Sequence, residues 1–293
     1  MSKNGNTVSD LINAFNERLK EHYPLDEISG FIRWSFDYVC NFKPADLAIK
    51  RDETIDFNEL ERFNNIIERL KNQEPIQYIL GETMFFGLRI MVNEHVLIPR
   101  PETEELVDWI IKENKNDNIS IIDIGTGSGC IPIALKSKMG TSLKSVLAID
   151  VSENALVLAK KNADMNAVSI DFRKVDILDD NAWHSLPLVD LIVSNPPYIT
   201  KNEMVLMERN VLDHEPHLAL FVDDGDALLF YKTILEFAKN KLNDGGKICF
   251  EINESRGEEL ADFIRDNYHY QTIIKKDLSG KDRMLKVVKG LKS

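Results

Sequence analysis

Asn195-Pro196-Pro197-Tyr198 follows the apolar run Leu191–Val193. Two consecutive prolines set their own φ angles and push Asn195 out of the helical region. The expected result is a stiff turn at the carboxyl end of a strand, where open α/β sheets place their ligands. It offers the Asn195 side-chain oxygen and the Pro196 carbonyl as acceptors, with Tyr198 adding a flat face and a hydroxyl. Paired acceptors suit a planar NH₂ group. An amide or aryl amine nitrogen is a poor nucleophile because its lone pair is delocalised. Gripping both hydrogens orients that nitrogen and favours the positive charge it gains during attack. The plainer alternative is a turn that only ends a strand.

A second cluster lies upstream. Asp123-Ile124-Gly125-Thr126-Gly127-Ser128-Gly129 sits between an apolar run and a helix-forming stretch, so its glycines allow a tight turn and close approach to a ligand. Asp150 ends the next apolar run, where a carboxylate can accept from ribose hydroxyls. Asp176 is a further acid within reach of an adenine amino group, or simply a solvated loop carboxylate. These residues point to a nucleoside cofactor without choosing one. The spacing G-x-G-x-G differs from the dinucleotide pattern G-x-G-x-x-G, and S-adenosylmethionine has no pyrophosphate for a helix N-terminus to hold. With that donor the methyl carbon is already activated by a positive sulfur, so in-line alignment is the main task left to the protein.

The elements that must carry these loops follow from periodicity. Apolar runs at Ile119–Ile124, Val146–Ile149, Leu191–Val193 and Ile248–Ile252 alternate with helical stretches at Glu102–Lys112, Pro132–Ser137, Glu153–Asn162 and Leu228–Lys241. Such alternation predicts an α/β fold with a parallel sheet and helices on both faces. Tyr270–Lys276 and Met284–Lys289 flank Ser279-Gly280-Lys281 and predict an antiparallel hairpin on the sheet edge. Residues 1–72 read as helices. Thr7 with Asp10 and Asp56 with Glu59 are cap signals, and Leu11, Phe15 and Leu19, then Phe63, Ile67 and Leu70, form inward stripes. Pro75, Gly81 and Gly87 punctuate a β-rich stretch, read as a hairpin linker over 73–93, leaving 94–293 as the catalytic domain.

Composition narrows the partners. Of 293 residues, 29% are charged and 43% hydrophobic, with a net charge of −12 that disfavours phosphate backbones. No run approaches the roughly 18 apolar residues of a membrane span, and no signal-peptide core follows the polar Met1–Asn6, so a cytoplasmic protein is expected. Cys40, Cys130 and Cys249 lack metal or disulfide spacing. His214 and His217 are three apart, but Pro216 breaks the helix that would align them, so no metal is expected. Cys130, Phe172 and Trp183 are expected to pack in the core.

Four blocks give the chain a family resemblance over nearly its whole length: Leu97-Ile98-Pro99-Arg100-Pro101-Glu102-Thr103-Glu104, the glycine loop, Asn195–Tyr198, and Glu215-Pro216 with Ala219-Leu220. The sequence resembles the release factor glutamine methyltransferases, which modify the Gly-Gly-Gln glutamine of bacterial class 1 peptide chain release factors. The resemblance implies a Rossmann-like, S-adenosylmethionine-dependent methyltransferase domain behind a small helical domain, with release factors 1 and 2 as substrates. It implies that Gly125, Thr126, Gly127, Ser128, Gly129, Asp150, Asp176 and Ile177 line the cofactor pocket, bordered by Arg100 and Thr103. It places Asn195, Pro196, Pro197 and Tyr198 on the substrate amide. Asn253 and Arg256 stand where the family tends to show glycine and glutamine, and Ala227 replaces a frequent glycine. Three rival readings remain. An adenine N6 methyltransferase would share the Asn-Pro-Pro-Tyr chemistry, but the charge opposes it. The glycine spacing disfavours a nicotinamide oxidoreductase, and the intact acceptor turn disfavours a catalytically dead binding module.

Overall fold

Thr7 caps the first helix with the reciprocal bonds its sequence promised: the Asp10 N–H donates to Thr7 Oγ1 at 3.2 Å and the Thr7 N–H to Asp10 Oδ2 at 3.1 Å. This helix, α1 (Val8–Leu19), packs with α2 (Leu25–Cys40) and α4 (Phe57–Lys71), the last capped in the same way by Asp56 and Glu59. Phe15, Phe36 and Phe63 are fully buried where the three meet, with Phe15 edge-on to Phe63 at 6.2 Å. Each such ring contributes roughly 1.5–3 kcal/mol by leaving water. The short α3 (Pro44–Ile49) is not foreshadowed by any apolar stripe, because none of its residues is buried. It starts on Pro44 and on the Asp46 carboxylate, which accepts the Lys43 N–H at 2.8 Å.

Residues 6–114, 118–206, 209–222 and 225–290 are described in this computed structural model. Met1–Gly5 of the polar lead and Asp224 fall outside them. The chain forms two units, one of residues 1–81 with 208–214 and one of residues 82–207 with 215–293.

The hairpin expected over 73–93 is shorter. Pro75 starts a helix, α5 (Ile76–Leu80), closed by Gly81 at φ 76°. The hairpin itself is β1 (Glu82–Phe85) and β2 (Leu88–Met91), and it belongs to the second unit. Its two-residue loop, Phe86-Gly87, has φ of 52° and 76°, both left-handed, as a type I′ turn requires.

The second unit continues with α6 (Pro101–Glu113), β3 (Ile119–Ile124), α7 (Cys130–Met139), β4 (Leu143–Asp150), α8 (Glu153–Met165), β5 (Asp171–Lys174), β6 (Val189–Ser194) and β7 (Ile199–Thr200). After α9 (Arg209–His214), which clusters with the first unit, come α10 (His217–Leu220), β8 (Phe221–Val222), α11 (Leu229–Lys241), β9 (Leu242–Glu251), α12 (Gly257–Tyr268), β10 (Gln271–Lys276) and β11 (Asp282–Val288). A seven-stranded sheet runs β10-β11-β9-β6-β3-β4-β5. Its five strands from β9 to β5 are parallel, and β11 and β10 close the edge antiparallel, as the glycine-centred tail predicted. The strands read as continuous apolar runs because both faces are covered: Ile122, Ile192, Ile248 and Phe250 are all fully buried.

This topology positions the chemistry. The chain winds outward from β3 through β4 to β5, then returns to place β6 on the other side of β3, which creates a switch point between β3 and β6. Ile124 lies opposite both Ile149 and Ser194, and Ser194 opposite Phe250. The glycine loop, Asp150, Asn195 and Glu251 therefore leave four neighbouring strands at one level.

Candidate active site

The glycine loop is held from below. The Gly125 and Thr126 N–H groups both donate to the Ile149 carbonyl, at 2.9 and 3.0 Å. The Gly127 N–H donates to Asp150 Oδ2 at 2.8 Å, and the Ser152 N–H to Asp150 Oδ1 at 2.9 Å. Asp150 thus ties the loop to the end of β4 while each oxygen keeps lone-pair capacity toward the cavity it lines. Burial raises its pKa, opposed by the donated N–H groups of Ser152, Gly127 and Val151. Ser152 then caps α8, accepting from the Ala155 N–H at 3.2 Å.

Gly127 has φ of 53°, and a Cβ there would project into open space; the backbone is therefore bare where a ligand can approach it. Gly129 differs, since at φ 78° its Cβ would stand 3.1 Å from Ala159 Cβ, so it serves the close packing of α7 on α8.

Asn162, read in the sequence only as a helix residue, is fully buried and braces the same loop. Its Nδ2 donates to the Ser128 carbonyl at 2.9 Å and the Met91 carbonyl at 3.0 Å, and its Oδ1 accepts the Met91 N–H at 2.7 Å. Asp123 opens the glycine motif. It is fully buried with no hydrogen-bond partner for either oxygen among the described residues, and burial pushes its carboxyl up to about 7, opposed by the neighbouring Thr126 hydroxyl. Its only advance signal was an acid beginning the glycine motif.

The eight-residue block from Leu97 to Glu104 has a physical account. Arg100 Nη2 donates to Glu215 Oε1 at 2.5 Å, and Glu215 Oε2 accepts the Ile98 N–H at 3.3 Å. The Glu215 carboxylate is only 1% exposed, so Arg100 is paired to a buried acid and not to a surface one. Thr103 Oγ1 donates to Glu251 Oε2 at 2.6 Å, and Glu104 Oε1 accepts the Phe86 N–H at 2.7 Å. One turn of helix thereby ties together the β1–β2 turn, the loop before α10 and the end of β9. In the sequence Glu215 belongs to the fourth family block, and Glu251 carries no sign beyond its place in the apolar run Ile248–Ile252.

A 320 Å³ cavity opens over these strand ends, within the size of small-molecule sites. Arg100, Thr103, Gly125 to Ser128, Asp150, Asp176, Ile177, Asn195, Pro196 and Pro197 all line it. Gly129 lies just behind, as the cap of α7. Ile149, Val151, Leu178, Phe230 and Ile234 supply an apolar wall beside Asp150 and Asp176, an arrangement suited to a base and ribose. The bare glycine backbone and paired acids fit S-adenosylmethionine.

Tyr198 stands elsewhere. Its ring packs against the sheet core, and it faces Glu251 and Arg283; burial, first, and the Glu251 charge hold its phenol well above the usual range. The ring is half-buried and is not among the groups that line the cavity. Trp183 packs edge-on to Phe237 at 5.6 Å and donates to the Ile177 carbonyl at 2.9 Å, a core role. Burial pushes the Cys130 thiol up to about 12, consistent with packing. Pro216 separates α9, ending at His214, from α10, beginning at His217. Among the described residues no group of three His, Cys, Asp or Glu side chains is placed to hold a metal, and no helix is long and apolar enough to cross a membrane.

Residues 103–219 match the Methyltransferase small domain and residues 10–81 the PrmC N-terminal domain. The chain is 46% identical to the release factor glutamine methyltransferase of Flavobacterium psychrophilum over 93% of this chain and 96% of that protein. It is 41% identical to the enzyme of that name from Bacteroides thetaiotaomicron, covering 92% and 95%. A methyltransferase structure from Pyrococcus furiosus shares the fold, with a TM-score of 0.50 at 20% identity over 80% of this chain and 99% of that one. The chain belongs to the release factor glutamine methyltransferase family.

Proposed function

We propose that the chain transfers a methyl group from S-adenosylmethionine to the side-chain amide nitrogen of the Gly-Gly-Gln glutamine in peptide chain release factors 1 and 2. The observation that carries this reading is the placement of Asn195 and the glycine loop on adjacent strands at one register, opening into a shared cavity. The names of the relatives, release factor glutamine methyltransferases, support it.

In this reading the bound donor supplies a methyl carbon made electrophilic by positive sulfur. Gly125, Gly127 and the backbone around Ser128 line its amino-acid end. Asp150 accepts from the ribose hydroxyls. Asp176 and Ile177 flank the adenine, and Arg100 and Thr103 border the pocket. Asn195 Oδ1 and the Pro196 carbonyl each accept one hydrogen of the glutamine NH₂, and Pro197 keeps their turn stiff. The nitrogen is thereby held in line with the methyl group, and the acceptors stabilise its growing positive charge. No strong base is needed: the nitrogen becomes acidic as it is alkylated and releases its proton late. Residues 1–72 are proposed to dock the release factor, since every chemical motif lies beyond Leu97.

Incubation of release factor with enzyme and donor, followed by peptide fragmentation, tests the reading. One added methyl on the Gly-Gly-Gln glutamine side chain is expected, and its absence with folded, donor-binding enzyme contradicts it.

A further inference from the structure

One side chain outside the Asn-Pro-Pro-Tyr turn reaches the Asn195 amide, and a second reaches it through the first. Asn195 Nδ2 stands 3.5 Å from Thr103 Oγ1, and Thr103 Oγ1 stands 2.6 Å from Glu251 Oε2. Thr103 and Glu251 are each 2% exposed. The short contact is that expected of a hydroxyl donating to a charged oxygen. A hydroxyl has one proton to give, and an ionised carboxylate only accepts. The Thr103 proton is therefore committed to Glu251, and Oγ1 presents lone pairs to Asn195. Only the NH₂ end of Asn195 meets those lone pairs favourably, since the flipped amide would set oxygen against oxygen. Oδ1 is left as the end of the amide turned away from Thr103.

We infer that Glu251, acting through Thr103, is a positioning residue that sets which end of the Asn195 amide is offered to the substrate NH₂ group. This rests on the amide-gripping reading of Asn195 given above. The Glu251 main chain is itself fixed, because the Tyr231 hydroxyl donates to its carbonyl at 3.0 Å.

The device works only while Glu251 is ionised. Once protonated, Glu251 can donate to Thr103, the Thr103 proton can turn to Asn195 Oδ1, and the preference for one amide orientation disappears. Burial pushes the Glu251 carboxyl up to about 7, opposed by the Thr103 hydroxyl and the Arg283 and Arg100 charges and reinforced by Glu102. The charged and titratable groups around it are Arg100 and Glu102 at the start of α6, Cys130 on α7, Tyr198, Tyr231 on α11 and Arg283 on β11. Burial raises Cys130, Tyr198 and Tyr231, so they stay neutral through this range. Asp123 lies in the same range and is the competing source of any pH effect, which a Glu251 variant separates.

The test uses full-length protein as parent, Glu251→Gln, Thr103→Val and Thr103→Ser, with release factor as substrate. Glu251→Gln and Thr103→Val are each expected to lower kcat by about 10–100-fold while KM for release factor stays within about threefold, and in Glu251→Gln, which leaves the cavity lining intact, the donor Kd also stays within about threefold. Thr103→Ser, which keeps the hydroxyl, should retain at least about a third of kcat. A second readout needs no turnover: in protein labelled with ¹⁵N-asparagine, the Asn195 NH₂ signal, assigned by its loss in Asn195→Ala, should titrate near pH 7 in the parent and not in Glu251→Gln. Equal loss in Thr103→Val and Thr103→Ser overturns the inference, as does an Asn195 signal insensitive to pH in the parent, a measurement that no misfolded variant can confuse. Failure of the parent to methylate release factor would instead sink the proposed function and leave the spectral result standing.

Discussion

Asn195 and Asp150 divide the work at the residue scale. Asn195→Ala removes an acceptor whose hydrogen bond strengthens as the nitrogen gains charge, so the loss should fall on kcat, on the order of 10²–10³-fold, with KM little changed. Steady-state kinetics on release factor checks this, and a near-parental kcat would rule out the grip. Asp150→Ala loses bonds to a charged acceptor and also releases the Gly127 and Ser152 N–H groups. Calorimetry should show donor binding weakened by about 10–100-fold, the equivalent of about 1.5–3 kcal/mol. Unchanged affinity would remove Asp150 from the ribose. Asp123 gives a pH signature. Its folded pKa of about 7 lies above the unfolded value of about 3.9, so the folded state holds the proton more tightly in between. Its contribution to stability therefore falls as pH rises from about 4 to about 7 and is level above. The melting temperature of Asp123→Asn minus that of the parent should grow over this window, and parallel curves would contradict the assignment.

At the scale of elements, the strand ends explain why the site assembles. The glycine loop, Asp150 and Asn195 could be picked out in the sequence because each combines a local conformational rule with an apolar run before it. Glu251, Glu215, Asn162 and Thr103 act through partners far away in sequence, and only the β9–β6–β3–β4 register and the α6 turn bring those partners within reach. Tyr198 shows the same limit in reverse, since local sequence placed it beside the turn but could not say that its ring faces the core. Asn162 is the brace most open to test. Asn162→Ala strands the Ser128 carbonyl and both Met91 backbone groups, at about 1–3 kcal/mol for each group left unpaired. A fall in melting temperature of at least about 4 °C is expected. A stability equal to the parent's would show that β2 and the glycine loop hold without it.

For the whole molecule, the early helices and the later alternation of strands and helices were visible as changes in periodicity, but the joins between units were not. Pro75 reads as a breaker in sequence, yet it starts α5, and the hairpin after it groups with the catalytic unit. That α9 clusters with the first unit from over a hundred residues away has no local sign. If the first unit docks substrate, a chain beginning at Glu82 should bind donor with parental affinity yet lose most activity on intact release factor; equal activity would contradict docking. The most direct test of the central claim is fragmentation mass spectrometry of release factor treated with parent and with Asn195→Ala protein. The account predicts one methyl on the side-chain nitrogen of the Gly-Gly-Gln glutamine with the parent and about 1% or less of that initial rate with the variant. A methyl on any other atom, or parental methylation by Asn195→Ala, would contradict it.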